Sequence, residues 1–297
     1  MYMRRLSPRK VTEQDILDIM WAYKEGASLA ILSLKYPLTP RAMWALLKRR
    51  GFICRPKGFN LTRFYDINEN FFDNINSQKK AYWLGFLMAD GCITDENMIL
   101  CNLAFKDKGH LEKFKTDIES KHPIKEYYVH NKVWKQTSHM ASMHIGSKKL
   151  CAGLKKHGCI PRKTTRVHIP HIMPKLLHHF IRGYFDGDGC ICGVEKKPWV
   201  SMIGNIEFIQ ECQDILIQNC GVSKTKLKKR HKEGDLNVIS LAYCGRGNAI
   251  KIRNYLYKNA IIYLERKKER FDLLEYYSPG CILNGAKALK TIKPQTI

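Results

Sequence analysis

The pattern of apolar and polar residues predicts one apolar helix that occurs twice in the chain. Lys80 and Asp90 bracket nine uncharged, mostly apolar residues, a run too short to span a bilayer but suited to a buried helix. A second copy begins at Phe180 and ends at Asp188. In both copies the final aspartate is followed by Gly-Cys-Ile, and the two aspartates are 98 residues apart. A repeat of that length indicates a duplicated half-domain rather than a solenoid of short units.

After each copy, the pattern predicts strands and helices in the same order. Segments rich in β-branched and aromatic residues predict strands, and segments of helical periodicity predict helices. The first half has a strand at 98–105, a helix at 109–120, strands at 125–130 and 139–145, and a helix at 147–157. The second half has a strand at 199–203, a helix at 206–220, strands at 226–231 and 238–243, and helices at 248–257 and 264–276. The expected fold class is α+β.

Three short helices are predicted ahead of the duplicated region. Thr12 and Ser28 can cap helices at 13–25 and 29–36, because a hydroxyl at that position accepts a hydrogen bond from the first turn. Thr39 followed by Pro40 marks the start of a third helix that stops at Gly51. Three short helices with a tight turn before the last are typical of a helix-turn-helix module, whose last helix enters the DNA major groove.

The third of these helices has a polar and an apolar side. Its outward candidates for DNA contact are Arg41, Trp44, Ala45 and Lys48, and its inward residues are Ala42, Met43, Leu46 and Leu47. A competing explanation is that Lys48 and the two arginines after it only complement the dipole at the helix C-terminus. Residues 1–60 carry twelve basic and four acidic side chains, and this excess favours DNA contact.

Composition divides the chain into five segments. Residues 1–55 form the helix-turn-helix module, and the polar, asparagine-rich residues 56–76 form a linker. The two halves occupy 77–165 and 166–277, and residues 278–297 form a tail.

The charge of the chain indicates a polyanionic partner. Among 297 residues, 51 are basic and 27 acidic, which gives a net charge of +24. Nucleic acid is the commonest polyanion inside a cell, although a ribosomal or membrane-surface protein could carry the same charge. The first residues lack the apolar segment of a secretory signal, and no run is long enough to cross a membrane. We therefore expect a protein of the cytoplasm, or of an organelle or phage-host interior, with no membrane partner.

The eleven cysteines are scattered through apolar segments, and no paired C-x-x-C motifs are present. The nearest arrangement is Cys190-Ile-Cys192. We expect small core residues of a reduced protein rather than disulfides or zinc ligands.

Small residues recur four apart in both apolar helices, Gly85 with Ala89 and Gly183 with Gly187. That spacing clears one helix face and allows two such helices to pack backbone to backbone. Gly85 and Gly183 are therefore the expected contact points of a helix pair. The glycine after each final aspartate, Gly91 or Gly189, occupies the position of a left-handed helix cap.

Each helix ends on an aspartate, which is unusual because the helix C-terminus is already negative. Two such carboxylates brought together would repel unless a cation lay between them. Asp90 and Asp188 are therefore the candidate catalytic residues and metal ligands, with the backbone carbonyls of Ala89 and Gly187 as further ligands. Mg²⁺, or Mn²⁺ in its place, is the expected cofactor, since it binds few carboxylates together with waters and phosphate oxygens. The alternative is that Asp-Gly is only a turn after a core helix.

Residues 83–91 (Trp-Leu-Gly-Phe-Leu-Met-Ala-Asp-Gly) and 181–189 (Ile-Arg-Gly-Tyr-Phe-Asp-Gly-Asp-Gly) resemble the two motifs of a single-chain LAGLIDADG homing endonuclease. The resemblance covers about residues 70–277 and departs at the sixth motif position, occupied by Met88 and Asp186. It implies two pseudo-symmetric halves of order αββαββα that form a DNA-binding saddle, and metal binding by Asp90 and Asp188. It further implies a monomer that makes a double-strand break with short 3′ overhangs at a long asymmetric site.

A fainter repeat follows the last helix of each half. Residues 159–163 and 263–267 both end in Arg-Lys, and the two lysines, Lys163 and Lys267, are 104 residues apart. In the family that the motifs resemble, a lysine of each half approaches the active-site water network. Lys163 and Lys267 are therefore further catalytic candidates that stabilise transition-state charge. Coincidence is the rival explanation in so basic a chain.

The hairpin strands of both halves alternate basic and aromatic residues, which suits contact with phosphates and base edges. The candidates for DNA binding are Lys125, Tyr127 and Lys132 in the first half and Lys226, Lys228 and Arg230 in the second. The alternative is a strand face that is simply solvated.

Two other functions fit parts of the sequence. One is a maturase of the same family, with intron RNA as its partner, and the other is a transcription regulator without nuclease activity. The presence of both acids favours cleavage of double-stranded DNA over either alternative. An intein is disfavoured because no splicing block is visible.

Overall fold

The computed structural model describes residues 11–25, 27–54, 65–131, 135–229 and 238–276. The chain divides into two compact units, Met1–Tyr65 and Asp66–Ile297. None of the helices in these described stretches is both long and apolar enough to cross a membrane.

The first unit contains three helices: α1 (Glu13–Lys24), α2 (Leu29–Lys35) and α3 (Pro40–Arg49). The side chains of Thr12, Ser28 and Thr39 cap them by accepting from backbone N–H groups, as the sequence predicts. A small core joins the three helices, and its fully buried members are Ile19, Met43 and Leu47.

The first half of the second unit follows the predicted order with one addition. Its elements are α4 (Gln78–Ala89), β1 (Gly91–Ile93), β2 (Met98–Ala104), α5 (Lys108–Asp117), β3 (Ile124–Asn131), β4 (Gln136–Gly146) and α6 (Lys148–Lys156). The strands form an antiparallel sheet in the order β1-β2-β4-β3.

The second half repeats this architecture. Its elements are α7 (Leu177–Asp188), β5 (Gly189–Cys192), β6 (Trp199–Asn205), α8 (Ile206–Cys220), β7 (Lys228–Lys229), β8 (Val238–Cys244), α9 (Arg246–Leu256) and α10 (Glu265–Tyr276). Its sheet has the equivalent order β5-β6-β8-β7. The predicted α+β fold class is thus confirmed, and each half runs αββαββα before α10 closes the chain.

Helices α4 and α7 lie at the centre of the molecule's large core. Residues 81–88 of α4 are all buried, because α7 covers one side of the helix and the first sheet and α5 cover the others. A helix buried all round shows no amphipathic stripe, which explains why the sequence there is apolar without a 3.6-residue period.

Each sheet has one face on the core and one open face. Along β2, Ile99 and Cys101 are buried in the core, whereas Asn102 is exposed on the other side. In the second sheet Val200 and Met202 face the core, and Trp199 is 45% exposed on the opposite side. We call these outer sides the open faces.

The two short strands β1 and β5 are absent from the sequence prediction, which placed left-handed caps at Gly91 and Gly189. Neither glycine has a positive φ; both begin strands. A Cβ on Gly91 would lie 2.7 Å from the carbonyl oxygen of Leu87, and one on Gly189 would lie 2.2 Å from Cδ2 of Phe185. The glycines are therefore needed for close approach to the preceding helix turn.

The expectation that the cysteines are core residues is only partly right. Of the ten free cysteines among the described residues, Cys101, Cys151, Cys159 and Cys212 are buried. Cys92, Cys190 and Cys244 are exposed, because they occupy the open-face positions of their strands.

Candidate active site and nucleic-acid interface

Gly85 and Gly183 lie where α4 and α7 come closest. A Cβ built on Gly85 would stand 2.0 Å from the carbonyl oxygen of Phe180, and one on Gly183 would stand 1.9 Å from that of Tyr82. Real Cβ atoms cannot approach so closely, so any larger residue would force the helices apart. The two helices therefore pack backbone against backbone, which fixes the positions of their ends.

The same packing brings the C-terminal ends of the helices together. A Cβ on Gly187 of α7 would lie 2.3 Å from Cβ of Ala89 and 3.3 Å from the carboxyl carbon of Asp90. Asp90 is the C-cap of α4, and its backbone N–H donates to Phe86. Asp188 is the last residue of α7. One acid from each half is thus delivered to a common place.

The pKa of Asp90 is raised to about 6, first by burial and then by the charge of Asp188. Water reaches the side chain, yet the packed helix ends around it still desolvate the carboxylate. Lys267, Arg266 and Lys163 oppose the shift without cancelling it. The structure therefore places two acids close enough to repel each other within a surround of basic side chains.

Tyr184 lies one turn before Asp188, and sequence reasoning did not identify it. Its hydroxyl donates to the carbonyl of Ile203 at 3.0 Å. The pKa of this phenol is raised by burial and then by Asp188, with a smaller effect from Asp90. Tyr184 is thus a neutral group held beside the acid pair.

The two candidate lysines lie at the motif ends but are bound differently. Lys163 is part-buried in a 3₁₀ turn, and its ammonium donates to the carbonyl of Gly91. Lys267 is buried, and its ammonium donates to the carbonyls of Phe185 (2.7 Å), Asp186 (2.6 Å) and Gly187 (3.0 Å). An ammonium group has three N–H bonds. Lys267 therefore uses all three to close the C-terminus of α7, which makes it a positioning residue, whereas Lys163 retains donors for other partners.

Burial lowers the pKa of Lys267 to about 8, against the opposing attraction of Asp186. Because that pKa still lies above neutrality, the side chain stays mostly protonated at pH 7 and can serve all three carbonyls.

The donor set fits a magnesium ion better than zinc. Among the described residues, no group of three or more His, Cys, Asp or Glu side chains is arranged to hold a metal. Mg²⁺ needs only one or two carboxylates, since waters and substrate phosphates complete its shell. The carbonyl of Gly187, a predicted ligand, already accepts from Lys267 but has a second lone pair. The carbonyl of Ala89 lies at the adjoining helix end.

Asp186 is a buried acid to which the sequence analysis assigned no role. It is fully buried and accepts hydrogen bonds from the Tyr82 hydroxyl (2.6 Å) and the backbone N–H of Leu264 (2.8 Å). Tyr82 also contacts His110 at 2.9 Å. Burial raises the pKa of Asp186. This acid therefore joins α4, α7 and the segment before α10 from inside the core, away from the acid pair.

Lys125 and Tyr127 lie on the open face of the first sheet. Lys125 pairs with Ser142, and Ser142 pairs in turn with Asn102 of the open face. Tyr127 is 37% exposed two positions along the same strand. Strand residues two apart share a face, so these side chains form one surface.

In the second half, Lys228 lies on the open face, because it and Ile203 both pair with Ser240. Lys226 is exposed but precedes β7, which begins at Lys228 in the described chain. The exposed Trp199 shares this open face and was not among the predicted contacts. Lys132 and Arg230 lie outside the described residues.

On the first unit, Arg41, Trp44 and Lys48 occupy the exposed side of α3, while Met43 and Leu47 are buried. The ammonium of Lys48 lies 4.5 Å from the centroid of the Trp44 ring. The helix therefore presents a basic and aromatic side to solvent.

One segment of the second half matches a known protein family. The family described as LAGLIDADG-like domain matches residues 176–257, and no curated protein matches the chain. The chain is similar to the DNA-bound meganuclease I-SmaMI (13% identity, 71% of this chain, 96% of that one, TM-score 0.47). It is also similar to the LAGLIDADG meganuclease I-AabMI bound to DNA (13% identity, 68% of this chain, 90% of that one, TM-score 0.42). A third similar structure is the DNA-bound homing endonuclease I-WcaI (10% identity, 73% of this chain, 95% of that one, TM-score 0.49). The segment that matches the LAGLIDADG-like family runs from the turn before α7 to the end of α9 and includes Asp188.

Proposed function

We propose that the chain is a site-specific homing endonuclease that makes a metal-dependent double-strand break with short 3′ overhangs at a long asymmetric DNA target. The observation that carries this proposal is the delivery of Asp90 and Asp188 to one place by two helices in backbone contact. The LAGLIDADG-like match at residues 176–257 supports it, since that segment includes one of the two acids.

The acid pair would hold Mg²⁺, or Mn²⁺, between the two halves. When bound, such an ion neutralises charge on the phosphate and lowers the pKa of water. Asp90 and Asp188 contribute the negative charge that selects a cation, and the packed glycines hold the two carboxylates in fixed positions. Because the ion lies between the two halves, cutting of either DNA strand requires both acids.

The lysines would act on either side of this pair. Lys267 fixes the helix end that carries Asp188 by binding three of its carbonyls. Lys163 donates to the carbonyl of Gly91, the residue after Asp90. Its remaining N–H groups can donate to a phosphate or a water molecule. The positive charge of both lysines also opposes the raised pKa of Asp90, which keeps more of that acid ionised at neutral pH.

The open faces of the two sheets form the proposed DNA surface. Lys125, Tyr127 and Lys228 project from these faces, and Lys226 lies beside them. We assign α3, through Arg41, Trp44 and Lys48, a separate DNA contact of helix-turn-helix type. The net charge of +24 adds a salt-dependent attraction to any duplex. Since both halves are in one chain, a monomer suffices.

The test is cleavage of a duplex that spans the intron-free insertion site of the gene. Purified full-length protein is incubated with this DNA and Mg²⁺, with Mn²⁺, or with a chelator, and the ends of the products are sequenced. We expect one double-strand cut with 3′ overhangs that requires the metal. Tight binding without cutting under all metal conditions would contradict the nuclease proposal, and would favour the regulator or the intron-RNA maturase instead.

A further inference from the structure

A basic cavity lies at the end of α7 that is farthest from Asp188. It has a volume of about 660 Å³ and is lined by the turn before α7, the end of α8 and the outer side of α9. An α-helix rises about 1.5 Å per residue, so the twelve residues of α7 separate this cavity from the acid pair by about 18 Å. The cavity and the acid pair are therefore distinct places on the same helix.

The lining is positively charged and carries no acid. Lys175, Lys251 and Lys258 contribute ammonium groups, and none of the other lining residues is Asp or Glu. Lys175 and Lys258 are exposed, and neither forms a salt bridge within the described part of the chain. Lys251 donates to the carbonyl of Gly221 at 2.8 Å. Three cations without counter-charges concentrate positive potential in a concave site.

A buried arginine, Arg182, contacts the cavity-lining His179 and determines which of its ring nitrogens carries the proton. Arg182 is fully buried and donates to the carbonyls of Leu256 (2.7 Å) and Ile262 (2.9 Å). It also contacts Nδ1 of His179 at 2.8 Å. Since a guanidinium can only donate, Nδ1 must accept, and the neutral ring carries its proton on Nε2. His179 belongs to the cavity wall, and its ring proton lies on the nitrogen that does not face Arg182.

The neutral state of His179 is secured by its surroundings. Its pKa is lowered to about 3 by burial and then by Arg182. The imidazole is thus a hydrogen-bond donor without charge, backed by the charge of a guanidinium that water does not reach.

The aromatic rings and side-chain amides that line the cavity are suited to binding a nucleotide base. Tyr255 and His178 place their rings 5.7 Å apart at the cavity, and Asn219 and Asn254 supply amides that can both donate and accept. Flat rings stack on bases, and amides bind base edges. The volume lies within the range of small-molecule sites.

We propose that this cavity binds a nucleotide through its phosphate, as a second site separate from the DNA surface. Lys175, Lys258 and the Nε2–H of His179 bind the phosphate oxygens, and the rings and amides bind the base. The nucleotide comes either from a free nucleoside monophosphate or from an unpaired position of a nucleic-acid strand. Nucleotide binding at this cavity does not require nuclease activity, so a protein that fails to cut DNA would still bind the nucleotide.

The test compares full-length variants that differ only in lysines. Wild type is titrated calorimetrically with adenosine monophosphate, and separately with a short single-stranded RNA labelled with a fluorophore, in the presence of saturating duplex DNA. The double variant Lys175→Ala/Lys258→Ala removes the proposed contacts, and Lys175→Arg/Lys258→Arg keeps their charge. The matched control is Lys148→Ala/Lys149→Ala, because both lysines are exposed at the start of α6, the helix equivalent to α9 in the first half.

We expect the alanine pair at 175 and 258 to weaken binding by about tenfold or more, while the arginine pair and the control bind as wild type does. Adenosine monophosphate binding with that pattern identifies a free nucleotide as sufficient. The same pattern with the RNA alone identifies a strand nucleotide. If neither ligand distinguishes the alanine pair from the control, the positive charge acts without a site and the proposal is wrong.

Discussion

Asp90 makes the stability of the protein depend on pH. In an unfolded chain its pKa is 3.8, and in the folded protein it is about 6. Because the pKa is raised, ionised Asp90 destabilises the fold above about pH 6, and the effect disappears below about pH 4. In chelator-treated buffer, Asp90→Asn should raise the free energy of unfolding at about pH 8 by about 1 kcal/mol, after a discount for solvent screening. It should give no gain near pH 3.5.

The control for that experiment is Asp66→Asn. The pKa of Asp66 is lowered by its hydrogen bond to Lys121, so its substitution should give no gain at any pH. Urea denaturation across the pH range measures both variants. An equal gain in both, or a gain at Asp90 that does not change with pH, contradicts the raised pKa of Asp90.

Substitution of Lys267 should lower the free energy of unfolding more than substitution of Lys163. Lys267→Met removes a donor from three carbonyls at the end of α7, of which that of Phe185 keeps the N–H of Gly189, and it takes a cation away from the buried Asp186. We therefore expect a loss of about 2 kcal/mol. Lys163→Met frees one carbonyl at a part-buried position and should cost less than about 1 kcal/mol. Thermal and urea unfolding of both variants give the comparison. Equal losses would mean that the two lysines have the same structural role.

At this scale the sequence identifies the paired acids because duplication singles them out. It assigns no role to Asp186, which stands where the first copy has Met88. Only the fold gives it one, by placing Tyr82 and the N–H of Leu264 around Asp186. The three-carbonyl contact of Lys267 is likewise invisible in the sequence, because it joins residues about eighty positions apart.

Among the elements, the α4–α7 pair has the least tolerance for change. Gly183→Ala would place a methyl group 1.9 Å from the carbonyl oxygen of Tyr82, and separation of the helices should cost about 3 kcal/mol. The matched control is Gly247→Ala in α9, where a Cβ meets nothing within 4 Å and alanine favours the helix. Denaturation midpoints of the two variants decide the point. Similar stability of both would show that the helices do not depend on backbone contact.

The longer elements follow from the sequence because their patterns are strong. Helix α8 coincides with the predicted 206–220, and the strands β2, β4, β6 and β8 lie within two or three residues of prediction. The short strands β1 and β5 could not be predicted, since each is three or four residues long and follows an Asp-Gly that also fits a turn. Pairing with β2 and β6, which the sequence alone does not reveal, makes them strands.

For the whole molecule, the two units have separate cores. Residues 66–297 should therefore fold without the first unit and should retain metal-dependent cutting of a target. Affinity for that target should fall, and its dependence on salt should become shallower, because residues 1–60 carry eight net positive charges. Binding measured over a range of salt concentrations tests this. If the affinity and its dependence on salt concentration are unchanged, the proposed DNA contact of α3 is wrong.

Net charge and the duplicated motif allow the sequence to predict a nucleic-acid partner and a two-part architecture. The basic cavity could not be predicted, because Lys175, Lys251 and Lys258 are spread over 84 residues. They meet only after α7, α8 and α9 have packed. The same holds for Trp199, whose position on the open face depends on the register between β6 and β8.

The central claim is that Asp90 and Asp188 act as one site built from two halves. Its most direct test is cleavage of a supercoiled plasmid that carries the target, by wild type, Asp90→Asn and Asp188→Asn with Mg²⁺. We predict linear product from wild type, and neither linear nor nicked product from either variant, with DNA binding retained. Full linearisation by either variant would contradict a shared site, and nicking of a single strand by each would show two independent ones.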